Sequence, residues 1–346
     1  MIALVVAVEV FVGLRRDLAD PVGLEWRGGD KAIRGRAKQA DVLCLGDSMM
    51  KYGISASVLE ARLGRRVANF AMTAAPASAS YFALSHAIEA GARPRLILVD
   101  YAPFLLLPGY QLNQRYLADA FDLKDSLDLA WSSADFEVGG AMLLSQFVPT
   151  VHNRDSLRAR AKRNWPKPPE AGKAQRRPDL WLPGGNQEVY GWFYPPAWEC
   201  GPDHQLYVER LIDLAARHGA TVVWLMTPVG DPIRKEWKTL DLDARYTRFA
   251  EAIQARFANL VVIDGREVPL DDSDRTDPLH LSRRGAEAFT ERVADHLGRI
   301  SRGSPWVDMN SSPRRPWEAR DRSLADQPTP TRLDPISRED RPNPPG

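Results

Sequence analysis

Asp41-Val42-Leu43-Cys44-Leu45-Gly46-Asp47-Ser48 is an almost unbroken apolar run that stops at a glycine and delivers a serine. A strand with one wet face alternates apolar and polar residues, whereas a near-continuous run marks a strand covered on both faces. Four more runs of this kind follow: RVANF (66–70), RLILVD (95–100), ATVVWLM (220–226) and NLVVI (259–263). Between them, residues 54–63, 78–90, 207–218 and 244–257 carry helical spacing, and 284–300 supplies a closing helix. The first three helices stop at Gly64, Gly91 and Gly219, because glycine takes the left-handed cap conformation without a Cβ clash. Strand and helix in alternation predict a five-stranded parallel sheet with helices on both faces.

Length and composition set the outer limits. The chain has 346 residues, 44% hydrophobic and 26% charged, enough for one large or two modest domains. Lys and Arg number 46 against 45 Asp and Glu, for a net charge of +1. Nucleic-acid binders concentrate a basic excess on one face, so a nucleic-acid partner is not expected. Cys44 and Cys200 are the only cysteines, too few for a disulfide framework or a multi-Cys zinc site. No metal and no other cofactor is expected, since the histidines lack the spaced acidic or Cys companions of a metal site.

The two ends and one internal stretch depart from the alternation. Residues 1–14, MIALVVAVEVFVGL, are apolar except for Glu9 and run into Arg15 and Arg16. They are too short to span a bilayer, which takes about 20 apolar residues, and lack the basic start of a signal peptide. They read as the trailing part of an N-terminal membrane anchor whose start codon lies further upstream, with a linker to residue 27 and the rest of the chain outside the cytoplasm. The alternative is an element packed on the core. Residues 28–300 form the main domain. Within it, an insertion after the third strand spans about 103–202, with a helical first part (114–146) and then a loop dense in Pro, Gly and aromatics. Trp181, Trp192, Phe193, Tyr194 and Trp198 could stack on sugar rings or cover the sheet core. Residues 301–346 hold nine of the 27 prolines and show no periodicity, which predicts a disordered tail.

Ligands of open parallel sheets bind outside the carboxyl ends of the strands. Ser48 falls there, after the first strand, on a tight turn that Gly46 would permit. Asp47 or Ser48 is equally a candidate helix N-cap. A nucleophilic serine needs a base, and the base needs an orienting carboxylate. Of the six histidines, His86, His218 and His296 lie in predicted helices, and His152 and His204 lie in or beside the insertion. His280 alone follows the last strand in a loop with a carboxylate three residues earlier, in Asp277-Pro278-Leu279-His280. No glycine-rich phosphate loop follows the first strand, which disfavours a nucleotide binder.

Gly46-Asp47-Ser48 near the N-terminus and Asp277-x-x-His280 near the C-terminus resemble the SGNH, or GDSL-type, hydrolase superfamily. The resemblance implies a flavodoxin-like three-layer α/β/α fold and acyl-ester chemistry, with Ser48 as nucleophile, His280 as general base and acid, and Asp277 as its orienting partner. It implies oxyanion donors at the Ser48 N–H and at a glycine after the second strand, a position that Ala74 occupies here. The family's Asn after the third strand is missing, because this chain reads Val99-Asp100-Tyr101-Ala102-Pro103. Losing one oxyanion donor costs about 10²–10³ in rate, so Tyr101 or an insertion residue replaces it or activity is weak. The N-terminal apolar segment, the long insertion and the Trp198-Glu199-Cys200 and Val222–Pro228 segments are similar to membrane-anchored bacterial relatives that transfer acyl groups on cell-surface polymers. The reading that follows is a serine esterase taking a small ester or an acylated carbohydrate. Its alternatives are an O-acyltransferase acting on a cell-surface polysaccharide and a degenerate fold that serves as a binding protein.

Overall fold

The computed structural model describes residues 2–15, 21–108, 120, 122–133, 136–154, 157–158, 160–161, 195, 197–298 and 306–309. All five expected strands form, as β1 (Val42–Leu45), β2 (Val67–Asn69), β3 (Leu96–Val99), β4 (Thr221–Met226) and β5 (Leu260–Asp264), and they pair in parallel in the order β2-β1-β3-β4-β5. This is the flavodoxin-like order, whose switch point lies between β1 and β3. A sixth strand, β6 (Trp306–Asp308), joins β5 in parallel, with Val262 opposite Trp306. It extends the five expected strands by one at the sheet edge. The strand lies within the segment expected to be disordered, and Met309 after it is buried; a three-residue strand is too short to show periodicity. Residues 310–346 lie outside the described residues.

Both sheet faces are covered, as the continuous apolar runs require. Leu43, Leu45, Ile97, Val99, Val222, Trp224 and Met226 point to one core layer, while Val42, Cys44, Leu98, Val223, Leu225, Val261 and Ile263 point to the other. The first layer is closed by α2 (Pro21–Arg36), α5 (Ala77–Glu89), α9 (Pro202–Arg217), α10 (Asp231–Thr239) and α11 (Leu242–Gln254). The second is closed by α3 (Ser48–Gly53), α4 (Ala56–Leu63) and α12 (Arg283–Leu297). Each fully buried aliphatic side chain of these layers contributes about 1.5–3 kcal/mol. Gly64, at φ 61°, caps α4 in the left-handed conformation expected of it. Helix α2 crosses the expected boundary at residue 27 and buries Trp26 completely. The same layer also receives α10, an element beyond the expected helices, which buries Ile233 and Trp237 one turn apart.

The N-terminal helix α1 (Ile2–Leu14) and three helices of the insertion, α6 (Leu123–Ser133), α7 (Phe136–Phe147) and α8 (Pro149–His152), pack in series, α1 on α8, α8 on α7 and α7 on α6. Among the described residues, no helix is long and apolar enough to cross a membrane. Trp198 does not stack on a ligand surface. It is buried, donates its indole N–H to the Pro103 carbonyl at 2.7 Å, and packs edge-on against Tyr246 and Phe249. Trp181, Trp192, Phe193 and Tyr194 lie outside the described residues. Both cysteines are buried and free, Cys44 in one core layer and Cys200 in the other.

A buried histidine joins three of the helices. His86 of α5 places Nδ1 2.6 Å from Asp30 of α2 and Nε2 2.9 Å from Asp125 of α6. His86, Asp122 and Asp125 converge closely enough to suggest a metal site. With a carboxylate on each ring nitrogen, however, His86 acts as a doubly protonated ring bridging two acids. Burial opposes that charge, but hydrogen bonds and charge from Asp125 and Asp30 outweigh it and raise the pKa. The contribution of the clamp is complete below the unfolded histidine pKa of about 6.5 and is lost as pH rises through the raised folded value. We therefore expect His86→Gln to destabilise the protein by about 1–3 kcal/mol at pH 6, since Asp125 is left buried without its cation. The deficit should shrink at pH 9. Urea unfolding of both proteins at the two pH values is the check; an equal deficit at both would rule out the charged clamp.

Candidate active site

Two elements, the start of α3 and one loop before α12, deliver the three predicted residues to the carboxyl edge of the sheet. Ser48 opens α3 directly after β1, and its Oγ lies 2.8 Å from His280 Nε2. His280 Nδ1 lies 2.7 Å from Asp277 Oδ2. The other carboxylate oxygen, Oδ1, accepts the backbone N–H groups of Leu279 at 2.8 Å and His280 at 2.9 Å, which fixes the Asp277 side chain in its own loop. Burial pushes the Asp277 pKa up, but the His280 hydrogen bond and these two N–H donors prevail and hold it below the usual carboxylate range. Asp277 therefore stays ionised and holds the imidazole so that Nε2 faces the serine. Tyr52 packs edge-on against the His280 ring, at 5.4 Å between centroids.

The turn that exposes Ser48 depends on two buried acids. Gly46 has φ 134°, and a Cβ there would lie 2.2 Å from Asp100 Oδ1. Asp100 Oδ1 accepts the Asp47 N–H at 3.3 Å. Asp47 in turn accepts from Met49 N at 2.7 Å, as N-cap of α3, and from Ala102 N at 3.0 Å across the sheet edge. Within this tripeptide Asp47 is the N-cap, and Ser48 beside it faces His280. Burial pushes Asp47 up to about 6, against those N–H bonds. Burial and then the neighbouring Asp47 charge hold Asp100 well above the carboxylate range. Asp100 Oδ2 is buried with no hydrogen-bond partner among the described residues, which suits a neutral acid better than an anion. Sequence reasoning passed over Asp100 because nothing in a strand-terminal Asp announces burial.

The turn after β2 carries Ala74 with φ 54°, a left-handed conformation that glycine adopts without cost. Thr73 before it is fastened on three sides. Its N–H donates to Glu25 Oε1 at 3.0 Å, its hydroxyl to Glu25 Oε2 at 3.0 Å, and its carbonyl accepts from the Trp26 indole at 3.3 Å. Glu25 also pairs with Lys51 of α3 at 2.6 Å. Helix α2 thereby ties this turn to the helix that bears Ser48, a link between residues 25, 51 and 73 that no local pattern signals. Tyr101, considered as a replacement oxyanion donor, is buried with its ring edge-on to Trp224. The remaining histidines are not brought to Ser48: His86 is in its clamp, His152 is buried in α8, His204 and His296 are buried elsewhere, and His218 is exposed at the C-cap of α9.

Two substitutions test this construction. Ala74→Gly should raise stability by up to about 1 kcal/mol, because it relieves the left-handed strain, and Ala74→Val should lower it; thermal unfolding reads both. Asp100→Asn keeps the acceptor for the Asp47 N–H and removes a proton that the native state retains. Acids with raised folded pKa values bind more protons folded than unfolded, so their ionisation costs stability as pH rises above about 4. The Asn variant should accordingly gain about 1 kcal/mol or more on the native protein at pH 8 relative to pH 5. A pH-independent difference in urea unfolding would contradict the neutral-acid assignment. Neither a protein-family model nor a curated protein matches this chain.

Proposed function

We propose that this chain is a serine esterase of the SGNH type, removing acyl groups, acetyl foremost, from a hydroxylated substrate such as a carbohydrate. The observation that carries the reading is the continuous hydrogen-bonded relay Ser48 Oγ, His280 Nε2, His280 Nδ1, Asp277 Oδ2 at the carboxyl edge of a parallel sheet. In this reading His280 Nε2 takes the Ser48 proton as Oγ attacks the ester carbonyl carbon. The tetrahedral oxyanion is met by the backbone N–H groups of Ser48 and Ala74. The imidazolium then protonates the leaving alkoxide, which departs and leaves an acyl group on Ser48. Water, deprotonated by the same imidazole, attacks the acyl carbonyl, and His280 returns the proton to Ser48 as the acid leaves. Asp277 remains ionised throughout and stabilises the imidazolium.

The left-handed turn at Ala74 supports its assignment, since a backbone of this shape is what the resemblance places there as glycine. Buried Tyr101 and the inward-turned Asp100 offer no side-chain counterpart of the missing Asn, so we expect a modest turnover. A fluorophosphonate probe should label the native protein and not Ser48→Ala. Hydrolysis of 4-nitrophenyl acetate should fall at least about 10³-fold in Ser48→Ala and about 10²–10⁴-fold in Asp277→Asn. Probe labelling that persists in Ser48→Ala, or none in the native protein, would overturn the esterase reading in favour of a binding role. Product analysis with added oligosaccharide separates water from a sugar hydroxyl as acceptor.

A further inference from the structure

We infer that α1 and the outer faces of α6 and α7 form one lipid-contacting surface that seats the domain against a bilayer. The inference is independent of the chemistry at Ser48.

Helix α1 is apolar on every side. Leu4, Val5 and Val6 are successive residues, pointing about 100° apart, and each is more than half exposed, as are Ile2, Val10, Phe11 and Leu14. A protein groove covers one face of a helix; only a surrounding apolar phase covers all of them. The single charged residue inside the helix, Glu9, is turned away from that phase and accepts hydrogen bonds from the Thr150 N–H and hydroxyl of α8. A charge satisfied internally is what a lipid-facing helix requires. Arg15 at the helix end lies over the Phe11 ring at 5.3 Å.

The insertion continues the surface. On α6, Leu123, Leu127 and Trp131 recur at i, i+4 and i+8 and are exposed, Trp131 to 80%, while Asp125 and Leu129 are buried on the opposite side and Ser126 and Ala130 are buried along its flank. On α7, Leu144 and Phe147 are exposed to 54% and 70%. These helices are joined to α1 through α8, where Gly13 meets Pro149 so closely that a Cβ would lie 3.2 Å from its ring. Helix α6 thus carries an exposed Trp together with an exposed cation two turns away, Lys124 at 80% exposure, which pairs with Glu89 at 3.4 Å; Trp and Lys are the residue types of a membrane interface. The 13 residues of α1 extend about 20 Å, short of the roughly 30 Å hydrocarbon thickness. The described helix enters the apolar phase, and α6 and α7 contact the adjoining interface.

The test uses the full chain with one introduced cysteine at a time, Trp131→Cys, Leu144→Cys or Arg283→Cys, each carrying an environment-sensitive nitrobenzoxadiazole. Cys44 and Cys200 are buried, and the unsubstituted chain supplies the background. Arg283, 93% exposed on α12, is the control. With phosphatidylcholine vesicles containing a minor fraction of phosphatidylglycerol, emission at 131 and 144 should rise and be quenched about twofold or more by doxyl-labelled lipid, with 283 unchanged. Leu127→Glu with Trp131→Glu should weaken vesicle flotation about tenfold without lowering the thermal midpoint, because both side chains are exposed. Flotation without quenching at 131 and 144 would leave α1 as a bare tether and overturn the proposal. So would burial of the labels in lipid-free solution that grows with protein concentration, which would assign the face to a second copy of the chain.

Discussion

The hydrogen that residue 46 carries in place of a Cβ is the constraint on which the candidate site rests. Asp100 fills the space a side chain would take, its carboxyl oxygen 2.2 Å from the Cβ position of Gly46. From there it receives the Asp47 N–H, and Asp47 bonds both the first turn of α3 and the Ala102 N–H beyond β3. The two strands flanking the switch point are thus stitched together just where Ser48 emerges. Any side chain at 46 would push β1 and β3 apart and move the serine with them.

Chemistry that uses a histidine twice in one molecule shows how partners decide a role. His86 meets a carboxylate at each nitrogen and is held as a cation between three helices. His280 meets one carboxylate and one hydroxyl, so a proton can pass through the ring and return. The first arrangement spends both nitrogens on adhesion. The second leaves one available for transfer. Burial follows the same division, since His86 is enclosed whereas the His280 side chain keeps about a quarter of its surface open.

Much of the fold was legible because the physics that shapes it is local. Strands β1 to β5 announced themselves as runs covered on both faces, and Gly64, Gly91 and Gly219 all adopt the positive φ expected where helices stop. Ser48, Asp277 and His280 were legible for a related reason, since chain order along a parallel sheet places the ends of the first and last strands on one edge. What stayed hidden depends on distant partners. Helix α10 carries only two large apolar residues, Ile233 and Trp237, one turn apart in a polar stretch, too short a pattern to stand out, and β6 exists by pairing with β5. Glu25 reads as a linker residue until Thr73 and Lys51 are beside it. Trp198 reads as a sugar platform until Tyr246 and Phe249 enclose it.

The loop that bears Asp277 and His280 is closed on itself. Thr276 N donates to the His280 carbonyl, Arg275 bridges Leu281, and the Pro278 carbonyl is held by Gly230 N at 2.7 Å. Asp277 and His280 therefore travel together, with their mutual geometry carried inside one small rigid piece. Ser48 belongs to a different piece, anchored through Asp47 to the sheet. A breathing motion between these bodies would stretch the Oγ to Nε2 hydrogen bond and the Tyr52 contact with the ring, and leave the hydrogen bond from the imidazole to its carboxylate untouched. The relay then behaves as a hinge with a single gap. In the proposed reaction, distortions elsewhere in the domain would act by changing the width of that gap, while the hydrogen bond that sets the tautomer of His280 is sheltered from them.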